Sequence, residues 1–217
     1  MPRIARVVAL GYPHHITQRG NYKQKVFFKN SDYSRYLKRL NEYCCKYKLL
    51  ILAYCLMPNH VHFIAVPEEE SSLAKTFNTC HMCYSQFLNK RNGVKGHLWQ
   101  GRFFSSILDE KYLFAAIRYI ENNPVRARIV NEAADWKWSS ARAHLGKVKD
   151  SLLFEDIKKF IEINDWKKYL AESDDEEIIQ SIKINTLSGK PLGSETFLSE
   201  LEKITGVSFL EKRLEKH

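Results

Sequence analysis

The stretch LLILAYCLMPNHVHFIAV, residues 49–66, decides the architecture. Leu49 to Met57 is an apolar run of strand length, and Pro58-Asn59 punctuates it. Proline donates no backbone hydrogen bond and asparagine tolerates turn geometry, so the run stops there. His60 to Val66 reads as a second strand, and the pair as a β-hairpin. Side chains alternate along a strand, so His60 and His62 share one face while Val61 and Phe63 take the other, the core side. Two imidazoles side by side on one face can bind one divalent cation. A chance pair of histidines at a strand edge is the competing reading.

The flanks extend the pattern. Tyr12 to Arg19 (YPHHITQR) reads as a short strand followed by a Gly20-Asn21 turn. Ser31-Asp32 offers a helix N-cap, and Tyr33, Tyr36, Leu37, Leu40, Tyr43 and Cys44 recur at helical spacing. Glu68 to Ser72 opens a second helix, to about Lys90, which Asn92-Gly93 and Gly96 break. Leu98 to Leu108 reads as a loop leading into a strand. Asp109 caps a third helix on Tyr112, Leu113, Ala116, Ile117 and Ile120, and Pro124 is expected to end it. A helical stretch follows Trp136 and Trp138, to about residue 147. The order strand, helix, strand, strand, helix, strand, helix is that of an α+β, ferredoxin-like split β-α-β sandwich, with an antiparallel sheet and helices on one face. The tail beyond about residue 151 reads as helical, broken at Gly189-Lys190-Pro191-Leu192-Gly193. The expected units are a catalytic body, residues 1–148, and a helical, acidic C-terminal extension, residues 149–217.

The 217 residues suit one domain with an extension, and 44% hydrophobic content excludes wholesale disorder. The formal charge of +9 is unevenly spread: 11 Lys/Arg against 2 Asp/Glu in residues 1–66, 13 against 9 in 67–150, and 10 against 14 in 151–217. A basic body with an acidic tail points to a polyanionic partner, nucleic acid first, and raises the hypothesis that the tail restrains DNA access. Five cysteines, an odd number without regular spacing, read as free thiols in a reducing cytoplasm. Cys80-His81-Met82-Cys83 has no second pair and falls in a helix, so it reads as packing rather than zinc. The N-terminus has no signal-like apolar region and no run is long enough to span a membrane, so a cytoplasmic protein without membrane partners is expected.

Tyr119 on the third helix and Asn123 four residues later share one helix face. A phenol can serve as a covalent nucleophile and an amide oxygen as a metal ligand; a core tyrosine and a helix-end asparagine are the alternative. Tyr119 approaches the histidine pair if the third helix packs on their side of the sheet. Cations and aromatics interleave around Arg19, in HLWQGRF (97–103) with Trp99, Gln100 and Arg102, and at Arg118 and Arg126. Such mixtures make platforms for unpaired bases and phosphates; for HLWQGRF the other reading is a packed loop with Trp99 and Phe103 in the core, which accounts less well for Gln100 and Arg102. His15, Gln18 and Arg19 are candidate DNA contacts on the first strand, with a structural strand as the other reading.

Together MPNHVHFI (57–64), HLWQGRF (97–103) and RYIENNPVRA (118–127) resemble REP-associated tyrosine transposases, members of the single-tyrosine HUH endonucleases. PRIARVVALGYPHHITQRGN (2–21) fits the same family, and GKPLGSETFLSELEKITG (189–206) resembles the tail of some members. The resemblance implies a ferredoxin-like fold, His60 and His62 as the metal pair, Tyr119 as the nucleophile and Asn123 as a third ligand; ENNP also offers Asn122. It implies Mg²⁺ or Mn²⁺ as cofactor and single-stranded DNA with REP-like hairpins as partner. The implied chemistry is strand cleavage and joining through a 5′-phosphotyrosine. A bacterial, nucleoid-associated protein, monomeric or homodimeric, follows, with Tyr119 acting in cis or in trans.

Two other functions compete. One is a catalytically silent or domesticated nucleic-acid-binding protein, which needs the basic face but not Tyr119. The other is a metallonuclease that uses water. A histidine-triad hydrolase is set aside, because Ile64 stands where its third histidine belongs.

Overall fold

Residues 6–209 are described here from a computed structural model of the chain; Pro2–Ala5 of the family-like opening stretch lie outside the described residues. The hairpin forms as expected: β2 (Leu49–Met57) runs antiparallel to β3 (His60–Pro67), with Met57 opposite His60 and Cys55 opposite His62. β1 (His14–Arg19) lies on the other side of β3, pairing Thr17 with His62 and Arg19 with His60. β4 (Phe104–Ile107) closes the sheet against β1. The strand order β2-β3-β1-β4, antiparallel throughout, is that of the split β-α-β sandwich.

α1 (Asn30–Lys46) and α2 (Ser72–Asn92) cover one face, packing Tyr36, Leu40, Leu73 and Phe77 over Ile16, Tyr54, Val61 and Phe63. α1 starts at Asn30, so Asp32 lies inside the first turn. There its buried carboxylate accepts the N–H groups of Phe28 and Lys29 and pairs with Arg91 of α2.

The opposite face is covered too, which corrects the expectation of helices on one face: that holds for α1 and α2 alone. α3 (Glu110–Glu121) packs there with two tail helices, α6 (Trp166–Ala171) and α7 (Glu176–Ser188). Leu113, Ile117, Ile120, Tyr169, Ile179 and Ile182 meet Leu52, Ala53, Ile64 and Val66 of the sheet. The physical reason is visible in β2: LLILAYCLM is apolar at consecutive positions, so both of its faces must be buried. α3 begins on Asp109, whose side chain accepts the Tyr112 N–H. It stops at Glu121, but Pro124 does not end the helical path. α4 (Asn123–Arg126) resumes with Pro124 in its first turn, where a missing N–H costs nothing. The stretch after Trp138 yields one turn, α5 (Ala141–His144).

The tail is tied down at several points. Leu192 N–H donates to Ile107 carbonyl, and Asp109 N–H to Leu192 carbonyl, extending the β4 edge. α7 ends on Gly189 with φ +81°, a conformation that favours glycine, and α8 (Glu195–Thr205) follows. Among the described residues, no helix is long and apolar enough to cross a membrane.

Candidate active site

The site lies on the sheet face that α3 and α7 cover. Alternation and cross-strand register put His15, Thr17 and Arg19 of β1 beside His60 and His62 of β3. The His60 and His62 rings stand 5.0 Å apart, nearly perpendicular. His60 Nδ1 lies 2.6 Å from Asn59 Oδ1, and His62 Nδ1 lies 2.9 Å from His15 Nε2. Both contacts use Nδ1, so Nε2 of each ring is the nitrogen these bonds leave for a ligand. Burial pushes the His60 imidazole down to about 4, helped by the Arg19 charge. Burial also holds His62 well below its ordinary value, with further lowering from His60, His15, Arg126 and Arg19. Both are therefore neutral, the form that binds metals.

α3 delivers Tyr119 to this face within the same chain. Its ring stands edge-on to His62 with centres 5.7 Å apart, and to His15 at 6.4 Å. Arg126 lies over the ring at 4.0 Å from its centre, and Lys183 Nζ of α7 at 5.6 Å. Burial raises the phenol above its ordinary value, while Arg126 and Arg19 pull it back. The arginines act in the direction that favours a phenolate.

The two adjacent asparagines separate. Asn122 Nδ2 donates to the Leu170 carbonyl, turned toward the tail. Asn123 Nδ2 is buried without a hydrogen-bond partner; it is a donor, so any ligation of a cation by Asn123 falls to its Oδ1. Among the described residues, no group of three or more His, Cys, Asp or Glu is placed to hold a metal. A third protein donor must then be of another type. Two neutral imidazoles and an amide oxygen suit, by donor type, a divalent ion that also takes phosphate oxygens.

The expected DNA contacts divide. Arg19, Gln100 and Arg102 are exposed, and the Gln100 N–H donates to the Arg19 carbonyl, joining the HLWQGRF segment to β1. Arg126 is exposed beside Tyr119. Four others are buried. His15 is 1% exposed and bonded to Thr186 and His62. Gln18 is buried and donates to the Gly101 carbonyl. Trp99 packs in the α1–α2 core, its indole N–H reaching the His81 carbonyl. Arg118 is also buried, and binds Glu172 and Asp174. His81 is a core histidine on Tyr36, and the five cysteines are free. Thr186, Lys183 and Asp174 belong to the surroundings of the site and carried no sequence signal, because only the folded tail brings them there.

The sequence profile described as "Transposase IS200 like" matches residues 9–123. A Haemophilus influenzae protein named as a REP-associated tyrosine transposase is 25% identical over 173 residues, covering 71% of this chain and 92% of its own length. A solved structure of a REP-associated tyrosine transposase bound to a REP hairpin superposes with a TM-score of 0.55 at 19% identity, covering 72% of this chain and 93% of that one. The last likeness shows the fold.

Proposed function

The chain belongs to the IS200-like transposase family, enzymes that act on DNA, and from this premise we propose that it is a site-specific single-stranded DNA endonuclease and strand transferase with Tyr119 as nucleophile. The observation that carries the reading is the Tyr119 ring set edge-on to His62, on the same face as His60. His60, His62 and Asn123 would hold a divalent ion, Mg²⁺ or Mn²⁺. When bound, that ion supplies charge neutralisation at a non-bridging oxygen of the scissile phosphate.

The protein residues perform the rest. Tyr119 Oη bonds to phosphorus as the bond to the 3′ oxygen breaks. The products are a 5′-phosphotyrosine and a strand ending in a 3′-hydroxyl, and the phenol proton ends on the leaving oxygen. Attack by another 3′-hydroxyl reverses the step and joins strands with no external energy. Arg126 and Arg19 favour the ionised phenol against the burial that opposes it. Exposed Arg19, Gln100 and Arg102 form the path for unpaired bases and phosphates.

The REP hairpin in the structural relative supports single-stranded DNA flanking a hairpin as substrate. Residues 1–148 are read as the catalytic body and 149–217 as an extension, of which the helices α6 and α7 pack onto that body. The position of Tyr119 beside the histidines of its own chain supports a reaction in cis by one copy, in the bacterial cytoplasm. Tyr119→Phe tests the reading on a panel of hairpin-flanked single strands. Cleavage is expected to vanish with hairpin binding kept; a variant that still cuts would overturn it.

A further inference from the structure

α7 reaches the site through Thr186, which is 1% exposed. Its hydroxyl has one proton to give. Within a helix that proton goes to the carbonyl four residues back, and Thr186 Oγ1 lies 2.7 Å from the Ile182 carbonyl oxygen. The same oxygen lies 2.7 Å from His15 Nδ1, and with its proton already directed at Ile182 it accepts there. His15 then carries its proton on Nδ1 and accepts at Nε2. That Nε2 lies 2.9 Å from His62 Nδ1, so His62 donates from Nδ1 and keeps its lone pair on Nε2. The His15 and His62 rings are parallel to within 3°. A 2.9 Å contact between two ring nitrogens needs a proton on one and a lone pair on the other.

We propose that Thr186 and His15 are positioning residues: Thr186, acting through His15, fixes His62 in the Nδ1-protonated tautomer that leaves its Nε2 lone pair for the site. The proposal rests on the reading of His60 and His62 as the metal-holding pair. It makes the tail part of the site's construction, since a residue 171 positions from His15 sets, through His15, the donor atom of His62. A serine at this position preserves both hydrogen bonds, whereas a valine of similar shape preserves neither.

The test uses the full-length, metal-free protein with ¹⁵N-labelled histidine. Long-range ¹H–¹⁵N spectra of the wild type are expected to show Nδ1–H for both His15 and His62. Thr186→Val is expected to lose the fixed His62 tautomer and to weaken Mn²⁺ binding, followed by electron paramagnetic resonance, about 10–100-fold. Thr186→Ser is expected to restore both. A wild-type His62 protonated on Nε2 would overturn the proposal, and that spectrum decides even where Thr186→Val does not fold. So would a folded Thr186→Val protein with the His62 tautomer and Mn²⁺ affinity of the wild type. A wild type with the expected tautomers but no Mn²⁺ binding would support the relay and instead overturn the metal reading of His60 and His62.

Discussion

The Tyr119 ring meets the His62 imidazole edge-on, with 5.7 Å between ring centres and an interplanar angle of 88°. Two independent elements create this meeting. β3 alternates its histidines onto one sheet face, and α3 covers that face with its apolar stripe, bringing the tyrosine with it. The predictions below follow from that arrangement and from the tail that packs around it.

The metal reading makes a claim about the histidine pair. His60→Ala and His62→Ala are each expected to lower cleavage by on the order of 10²–10³-fold, the scale for removing one element of transition-state charge stabilisation. Hairpin binding in a gel-shift assay should stay near wild type. Chelation should abolish cleavage and added Mg²⁺ or Mn²⁺ restore it. Cleavage that survives either substitution would count against the pair as ligands.

The acidic tail makes a second claim. Asp174 bonds both Arg118 and Arg126, and Glu172 bonds Arg118, so tail carboxylates occupy cations beside Tyr119. Asp174→Asn is expected to tighten single-stranded DNA binding at low salt. It should also steepen the fall of log affinity with log salt by roughly 0.7 for each cation released to a phosphate. Unchanged affinity and slope would show that Arg126 does not meet DNA. Charge alone suggests that deleting the tail would likewise raise activity, but the structure predicts otherwise. Removing residues after 150 strips Tyr169, Ile179, Ile182 and Leu192 from the core, so the truncated chain should lose cooperative thermal unfolding.

Buried histidines give a third. Burial pushes His14 and His60 down to about 4 and His15 and His81 down to about 3. Unfolded, each protonates near 6.5, so the unfolded state binds more protons as pH falls. Their stabilisation is complete above pH 6.5 and is lost as pH drops toward 4 and then 3, at about 1.4 kcal/mol per pH unit for each group. Thermal midpoints should fall steadily between pH 7 and pH 5. His81→Gln, remote from the site, should give a shallower dependence even if its midpoint at pH 7 is lower. An equal slope in the variant would contradict this.

The hairpin was legible because β2 is a continuous apolar run and Pro58-Asn59 stops it, and α3 because Asp109 caps an apolar period. Tyr119 and the histidine pair could be named from such local signals together with the ordered motifs. His15 could not be placed, since its neighbour His62 depends on the β1–β3 register across 47 residues. Thr186 lies farther still, on a helix whose docking no local pattern encodes. Local sequence leaves Gln18 and Trp99 open between DNA contact and packing for a related reason. In a mixed polar and aromatic segment burial is set by what packs above it, here α2 with His81 over Trp99. Helical spacing already favours Asn123 over Asn122, and the tail adds that the Leu170 carbonyl accepts from the Asn122 amide.

The covalent step is the centre of this account. Full-length protein is incubated with hairpin-flanked single-stranded DNA and Mn²⁺, resolved under denaturing conditions, and the shifted band is mapped by mass spectrometry. The account predicts a 5′-phosphotyrosine on Tyr119, absent from Tyr119→Phe. Cleaved DNA with no protein adduct, or an adduct on another residue, would contradict it.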